Sequence, residues 1–285
     1  MSCVLRWRKI PVSARLGLLV IVANLLIVAL APMLTPYGEG EIVGVVWEPP
    51  IWSSEALQHS PVVLLGTDQV GRDVYTRMMF GARNTIGIAL ATTLIAFLFA
   101  VPTALYSSLQ KGWVDQLISR AADVVLALPT LIVSLGVISI FGSSIVVLVT
   151  VISFLNVASI FRVCRAIAID INEMDFVEIA KLRGEPRWWL MWGEIFPNVL
   201  PPLLAEFGVR FCYVFLFISS LSFLGLGIQP PTADWGSMVR ENGIAISYGI
   251  MTPLLPALAI ALLTVAVNLV VDWLLHATSG SRELI

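Results

Sequence analysis

Residues 124–160, VVLALPTLIVSLGVISIFGSSIVVLVTVISFLNVASI, contain no charged side chain. A helix rises 1.5 Å per residue, so about 20 apolar residues cross the roughly 30 Å hydrocarbon core of a bilayer. This run is too long for one ordinary span. Phe141-Gly142-Ser143-Ser144 supplies a turn signal near its middle, which divides it into helices at 120–140 and 144–164. Working outward, further uncharged runs lie at 16–38, 84–110, 211–233 and 242–271. They predict helices at 16–35, 84–107, 201–223 and 251–275. The expected fold is therefore all-α, a polytopic membrane protein of six transmembrane helices. Pro102, Pro129 and Pro256 fall inside these helices and are read as kinks, because neighbouring helices in a bundle can satisfy the freed backbone groups.

Composition agrees. Of the 285 residues 58% are apolar and 13% charged, against about 45–50% and 25% in soluble domains. The mean hydropathy is +0.91. These values exclude an ordinary soluble globule, and also a disordered chain, which needs low hydrophobicity and high net charge. A formal net charge of -2 gives no global attraction to nucleic acid, so none is expected as a partner. Cys3, Cys164 and Cys212 are far apart and only His59 and His276 accompany them, so neither a disulfide framework nor a metal centre is expected. No cofactor is expected either.

The first apolar run follows Arg6, Arg8, Lys9 and Arg15, and Ala29-Leu30-Ala31 imitates a cleavage site. The apolar region of a secretory signal is about 7–15 residues, however, and here the uncharged stretch runs from 16 to 38. An uncleaved anchor is the expectation. Six spans put both termini on one side. With that side inside, most of the 17 Lys and Arg are cytoplasmic, and only Arg72, Arg77, Arg83 and Arg240 are outside, with Arg210 within a span. This is a strong positive-inside bias. Both termini and the loop 165–197 are expected to be cytoplasmic.

Gly66-Thr67-Asp68-Gln69-Val70-Gly71-Arg72-Asp73 imitates the spacing of a phosphate-binding loop, but Arg72 replaces the lysine and Asp73 the magnesium-binding hydroxyl. Nucleotide binding is rejected there. The stretch 39–83 is read as an ordered, partly helical outer cap, with Asp73 and Arg77 paired at i, i+4. On the other side, residues 175–198, DFVEIAKLRGEPRWWLMWGEIFPN, interleave Asp175, Glu178, Lys181 and Arg183 with Val177, Ile179, Ala180 and Leu182. This spacing predicts a short amphipathic helix ended by Gly184 and followed by Pro186. Trp188, Trp189 and Trp192 supply rings that prefer the membrane interface. The apolar side of such a helix calls for a partner surface or for lipid headgroups.

Within the spans, Asp123 and Asp272 sit near inner ends and are read as structurally paired. Glu206 and Arg210 form an i, i+4 pair with the acid N-terminal, deep enough to mark a possible translocation path.

The run Glu178-Ile179-Ala180-Lys181-Leu182-Arg183-Gly184, with Ile195-Phe196-Pro197-Asn198 after it, resembles the EAA loop of permease subunits from binding-protein-dependent ABC importers. Ile179 stands where that pattern has its first Ala, Glu194 where it has Ile or His, and Phe196 replaces Leu. Leu65-Gly66-Thr67-Asp68, Gly71-Arg72-Asp73-Val74 and Gly81-Ala82-Arg83 resemble the GTDxxGRD and GAR signature of the dipeptide, oligopeptide and nickel type. Residues 221–231, LSFLGLGIQPP, with Asp234-Trp235-Gly236 following, resemble the same group.

The resemblance implies a transport subunit, not an enzyme, in a bacterial inner membrane, importing peptides or similar small solutes. It implies a heterodimer with a second permease, two separate ATPase subunits, an external substrate-binding protein, and lipid around the spans. Glu178, Ala180, Lys181, Gly184 and Pro197 are then the residues that couple to the ATPases. The chain divides into a cytoplasmic segment 1–15, a first span and outer connector 16–64, a permease core 65–275 with five spans and the coupling loop 165–197, and a tail 276–285. The alternative is a secondary transporter or channel that works without ATPases.

Overall fold

The computed structural model describes residues 10–51, 63–110 and 112–279, with side chains up to residue 277. Arg6, Arg8, Lys9, Lys111 and Arg282, which entered the charge bias, lie outside the described residues, as does most of the tail.

Long helices dominate: α1 (Val12–Leu34), α2 (Val74–Gln110), α3 (Trp113–Ala127), α4 (Thr130–Phe141), α5 (Ile145–Asn172), α6 (Asp175–Leu182), α7 (Arg187–Phe223), α8 (Trp235–Glu241) and α9 (Leu254–Ser279). Hydrogen bonds between helices give their directions. Ser153 Oγ donates to Thr92 O (3.0 Å) and Asn172 Nδ2 to Ser108 O (3.2 Å). Moving along α2 therefore means moving the same way along α5, and the two are parallel. The chain between them has to return across the bundle.

It returns as a broken span. The axes of α3 and α4 are bent by 82° at Leu128-Pro129. With 15 and 12 residues they are about 22 and 18 Å long, each short of the hydrocarbon thickness. The start of α3 is fixed at the far end of α5, where Asp115 Oδ1 accepts from Arg165 Nε at 2.6 Å. The end of α4 packs near the beginning of α5, with Ile138 in one cluster with Leu148 and Ile152. The pair thus covers the length of α5 in reverse, and the fold has six crossings when it counts as one. Pro129 was expected to kink one helix over 120–140; it breaks it. Proline offers no N–H to the preceding turn and pushes the residue before it out of the helical region, and Leu128 is extended at ψ 129°. Pro102 stays inside an unbroken α2, and Pro256 lies in the first turn of α9, where its missing N–H costs little.

Several helices overrun their predicted limits, among them α5, which continues to Asn172 instead of ending at 164, and α3, which begins at Trp113 instead of 120. α2 starts ten residues before 84, and α7 starts at Arg187, well before 201. The predicted limits stopped at charged residues, but charges at a helix end are tolerated once they are paired or wet. Arg77 in α2 shows how.

Inside the bundle, Ala96, Ala100 and Ala104 of α2 are fully buried in one cluster with Ala158, Cys164 and Ala168 of α5. Small residues let the two backbones approach, as in other membrane bundles. The same device seats α1, where a Cβ on Gly17 would lie 2.6 Å from Ala266 O of α9. Gly17→Leu is expected to cost about 1–3 kcal/mol through overpacking. The thermal midpoint of the purified protein should fall, whereas Gly87→Leu, which meets open space, should leave it unchanged or raise it.

At the end carrying the α1–α2, α4–α5 and α7–α9 connections, residues 35–51 and 63–73 form turns and two isolated bridges, Ile42 with Arg72 and Thr67 with Asp73. No helix occurs among these described residues; the helical part of the expected cap 39–83 is 74–83, the first turns of α2. Gly71 (φ +89°) lies where a Cβ would fall 2.2 Å from Gly44 O, a turn only glycine fits. The expected Asp73–Arg77 pair is corrected. Asp73 Oδ2 instead caps α2, accepting from Thr76 N (2.9 Å) and Thr76 Oγ1 (2.6 Å). Arg77 is 1% exposed and joins a buried cluster: Asp68 Oδ2 meets Arg72 Nε (2.6 Å) and Arg77 Nε (3.4 Å), and Glu241 Oε2 meets Arg72 Nη2 (2.7 Å) and Arg77 Nη2 (3.1 Å). Beside it Asp234 caps α8, accepting from Ser237 N (2.8 Å) and from Thr85 Oγ1 (2.8 Å). Burial pushes the Asp234 carboxyl above the usual carboxylate range despite these bonds.

Candidate functional site

The opposite end of the bundle carries α6. It is amphipathic, and its short length means packing holds it, not propensity. Val177 and Ala180 are fully buried, with Val177 in a cluster that includes Ile171, Met191, Ile195 and Val199. Gly184 (φ +81°) closes the helix: its N–H donates to Lys181 O (3.0 Å) and the Glu185 N–H to Ala180 O (3.3 Å). These two bonds satisfy carbonyls that the helix end would leave free. Pro186 then opens α7.

The first turns of α7 are wound wider than an α-helix from Leu190 to Ile195, and the Phe196 N–H donates five residues back to Met191 O. Pro197, next in line, has no N–H to give, so the change of register falls where the ladder is already interrupted. Trp188, Trp192 and Phe196 form a row with ring centroids 5.6 and 5.0 Å apart, and Trp188 is 70% exposed.

The residues singled out for coupling are thus brought to one end but do not share one face. Glu178, Lys181 and Gly184 are exposed, and Lys181 Nζ donates to Asn172 O (3.1 Å). Pro197 is exposed at the start of the α-helical part of α7. Ala180 has no surface to offer a partner, because it lies on the side of α6 that packs inward. Phe176, Ile179 and Leu182, spaced i, i+3 and i+6, are the ones that look outward, and Leu182 is 82% exposed. That spacing was present in the sequence.

Glu206 and Arg210 do pair, Nε to Oε1 at 2.5 Å, with side chains 15% and 22% exposed. Arg210 lines a cavity of about 190 Å³ at the α3–α4 break, with Thr130, Asn156, Ser159 and Tyr213. Asp123 meets Arg162 at 3.8 Å with both side chains exposed, and Asp272 is exposed. Sequence reasoning missed Asp115, which accepts from Ser107 Oγ and holds Arg165 through Nε and Nη2, one bidentate edge of the guanidinium, locking α3 to α5. Its signal was an acid in the first turn of a helix opposite an arginine that the local spacing left unpartnered. Among the described residues no His, Cys, Asp and Glu group is placed to hold a metal ion.

Residues 93–279 match the family model described as binding-protein-dependent transport system inner membrane component. The chain is 31% identical over 265 residues to the dipeptide transport system permease protein DppC of Alkalihalophilus pseudofirmus, covering 93% of this chain and 84% of that protein. It is 30% identical over 262 residues to the di/tripeptide transport system permease protein DppC of Pseudomonas aeruginosa, covering 92% and 86%. It is 29% identical over 213 residues to the glutathione transport system permease protein GsiD of Pectobacterium atrosepticum, covering 75% and 71%. Among solved structures, that of an amino acid ABC transporter with histidines superposes with a TM-score of 0.53 at 17% identity, over 70% of this chain and 92% of that one. That likeness concerns the fold alone.

Proposed function

Because the chain belongs to the family of binding-protein-dependent transport system inner membrane components, and is thus an integral membrane permease subunit of an ABC importer, we propose that α6 is the part that engages its ATPase subunits. The assembly is a heterodimer with a second permease, two ATPases and an external binding protein, importing peptides or similar small solutes. The permease relatives named above support the solute class. ATP hydrolysis belongs to the partners, and the chain's own work is mechanical.

The observation that carries this reading is the two-sided burial of α6. One side, Val177 and Ala180, is locked into the bundle, and the other presents Phe176, Ile179 and Leu182 beside Glu178. A helix fixed on one side and apolar on the other passes a push from a partner to the spans behind it. Charge supports placing this end in the cytoplasm. Arg120, Arg162, Arg165, Lys181, Arg183 and Arg187 lie towards it, whereas Arg72 and Arg77 at the other end are buried against carboxylates. Both termini then face the cytoplasm, with 1–15 and 276–285 as flanking segments around a first span and connector 16–64 and a core 65–275. Nucleotide changes the spans only if it binds one arrangement of the assembly more tightly than the other.

Ile179→Asp with Leu182→Asp tests the docking. Both side chains are exposed, so the protein should reach the membrane at its normal level while the ATPase subunits no longer co-purify with it. Co-purification at the wild-type ratio would overturn the assignment of this face.

A further inference from the structure

The α3–α4 break opens a cavity of about 190 Å³ onto α5 and α7, and its polar groups come from three separate elements: Thr130 from α4, Asn156 and Ser159 from α5, Arg210 and Tyr213 from α7. Arg210 is 13 residues from the outer end of α7, about 20 Å along the axis, so the cavity lies at membrane depth. An arginine there is expensive to bury and needs a reason. We propose that this cavity is a transit site for a carboxylate group of the imported solute, with Arg210 as its main donor; this rests on the importer reading.

Three features point to an anion. Arg210 spends only Nε on Glu206, and among the described residues neither Nη has a partner. The pair of Nη groups is the edge of a guanidinium that receives a carboxylate. Next, the Ser159 hydroxyl has no partner among the described residues and lines the same space. Finally, α4 begins at this cavity with no side-chain cap, so its first N–H groups and the positive end of its dipole face the same region. Tyr213 OH and Thr130 Oγ1 lie 3.3 Å apart at its exposed edge.

Glu206 does not line the cavity. It lies on the other side of the guanidinium and offsets the charge, which makes an intramembrane arginine tolerable and keeps the site weak. Weakness suits transit, since a group that enters must also leave. The volume is below the roughly 300–1,000 Å³ of pockets that enclose whole drug-sized ligands, so the site takes one end of a solute. No acidic side chain lines it to hold an ammonium group.

Leu126 lines the cavity without contributing a polar group, so Leu126→Cys reports on it. In the full assembly in lipid, with Cys3, Cys164 and Cys212 replaced by alanine, that thiol is treated with two methanethiosulfonates, one bearing a sulfonate and one a trimethylammonium. Each rate is divided by the same reagent's rate with a free thiol. The sulfonate is expected to react several-fold faster, and Glu206→Gln with Arg210→Gln, which leaves no unpaired charge, should bring the ratio near one. Dialanine should slow the sulfonate reaction and dialanine amide should not. Absence of labelling, a ratio unmoved by the double substitution, or equal protection by both dipeptide forms would overturn the proposal. Labelling needs no ATP, so failure of the site is told apart from failure of the importer reading, which fails if wild-type assembly shows no ATP-driven accumulation of solute.

Discussion

Arg77→Ala is expected to strip most of the folded protein from the membrane. Arg77 is 1% exposed and lies between two carboxylates, Asp68 at 0% and Glu241 at 7% side-chain exposure. Truncation leaves these acids to share Arg72 alone in a site with little water. Breaking a buried pair by removing one partner costs about 3–5 kcal/mol, because the remaining charge is uncompensated. Whole domains are stable by only about 5–15 kcal/mol. The damage also spreads, since the cluster joins the loop before α2 to α8, and α8 packs on α7 and α9. Arg77 further donates to Glu39 O (3.2 Å), so the connector after α1 loses an anchor. Arg83→Ala, an exposed change on the same helix, should stay within about 0.5 kcal/mol. The thermal midpoint of the solubilised protein checks both. If Arg77→Ala unfolds at the temperature of Arg83→Ala, the cluster does not hold this end together.

That cluster also shows where sequence reasoning stopped. Arg77 and Asp73 were joined on their i, i+4 spacing, whereas the true partners are Asp68, in the loop before the helix, and Glu241, 164 positions away. Asp73 was already committed as a cap, a role that its hydrogen bonds to Thr76 make plain and its spacing does not. The number of crossings, by contrast, was legible, because hydropathy over 20 residues is a local property. Gly184 and Pro186 marked the end of α6 for the same reason: each acts through its own backbone. Pro129 lay between these cases. Whether a proline bends or breaks a helix depends on what its neighbours offer the freed carbonyls, and Asp115 fixing α3 to α5 from afar is not visible in the run around Pro129. The seating of α6 was hidden too. Ala180 and Ile179 are adjacent and similar in character, yet one is fully buried and the other 56% exposed.

This difference yields an expected result that separates docking from transmission. Ala180→Phe should leave the ATPase subunits attached and hydrolysing ATP, while solute uptake falls roughly tenfold or more, a factor equal to about 1.4 kcal/mol of lost coupling. Ala180 is at 0% exposure, so a phenyl ring has no space and α6 must rise or tilt. Overpacking of this kind costs about 1–3 kcal/mol. It is borne locally, because α6 is not a span and the bundle's other cluster, around Phe215, Ile152 and Val267, does not include it. The outward residues Phe176, Ile179 and Leu182 keep their chemistry, so a partner that reads them still binds. What is lost is the rigid seat: a lever resting on a ring that can slide absorbs the stroke it should pass on. Ala180→Ser, small enough for the same space, should restore most uptake. Uptake within twofold of wild type for Ala180→Phe, with the ATPases bound, would mean that the stroke reaches the spans by another route, and the wide turn at the start of α7 would be the next element to immobilise.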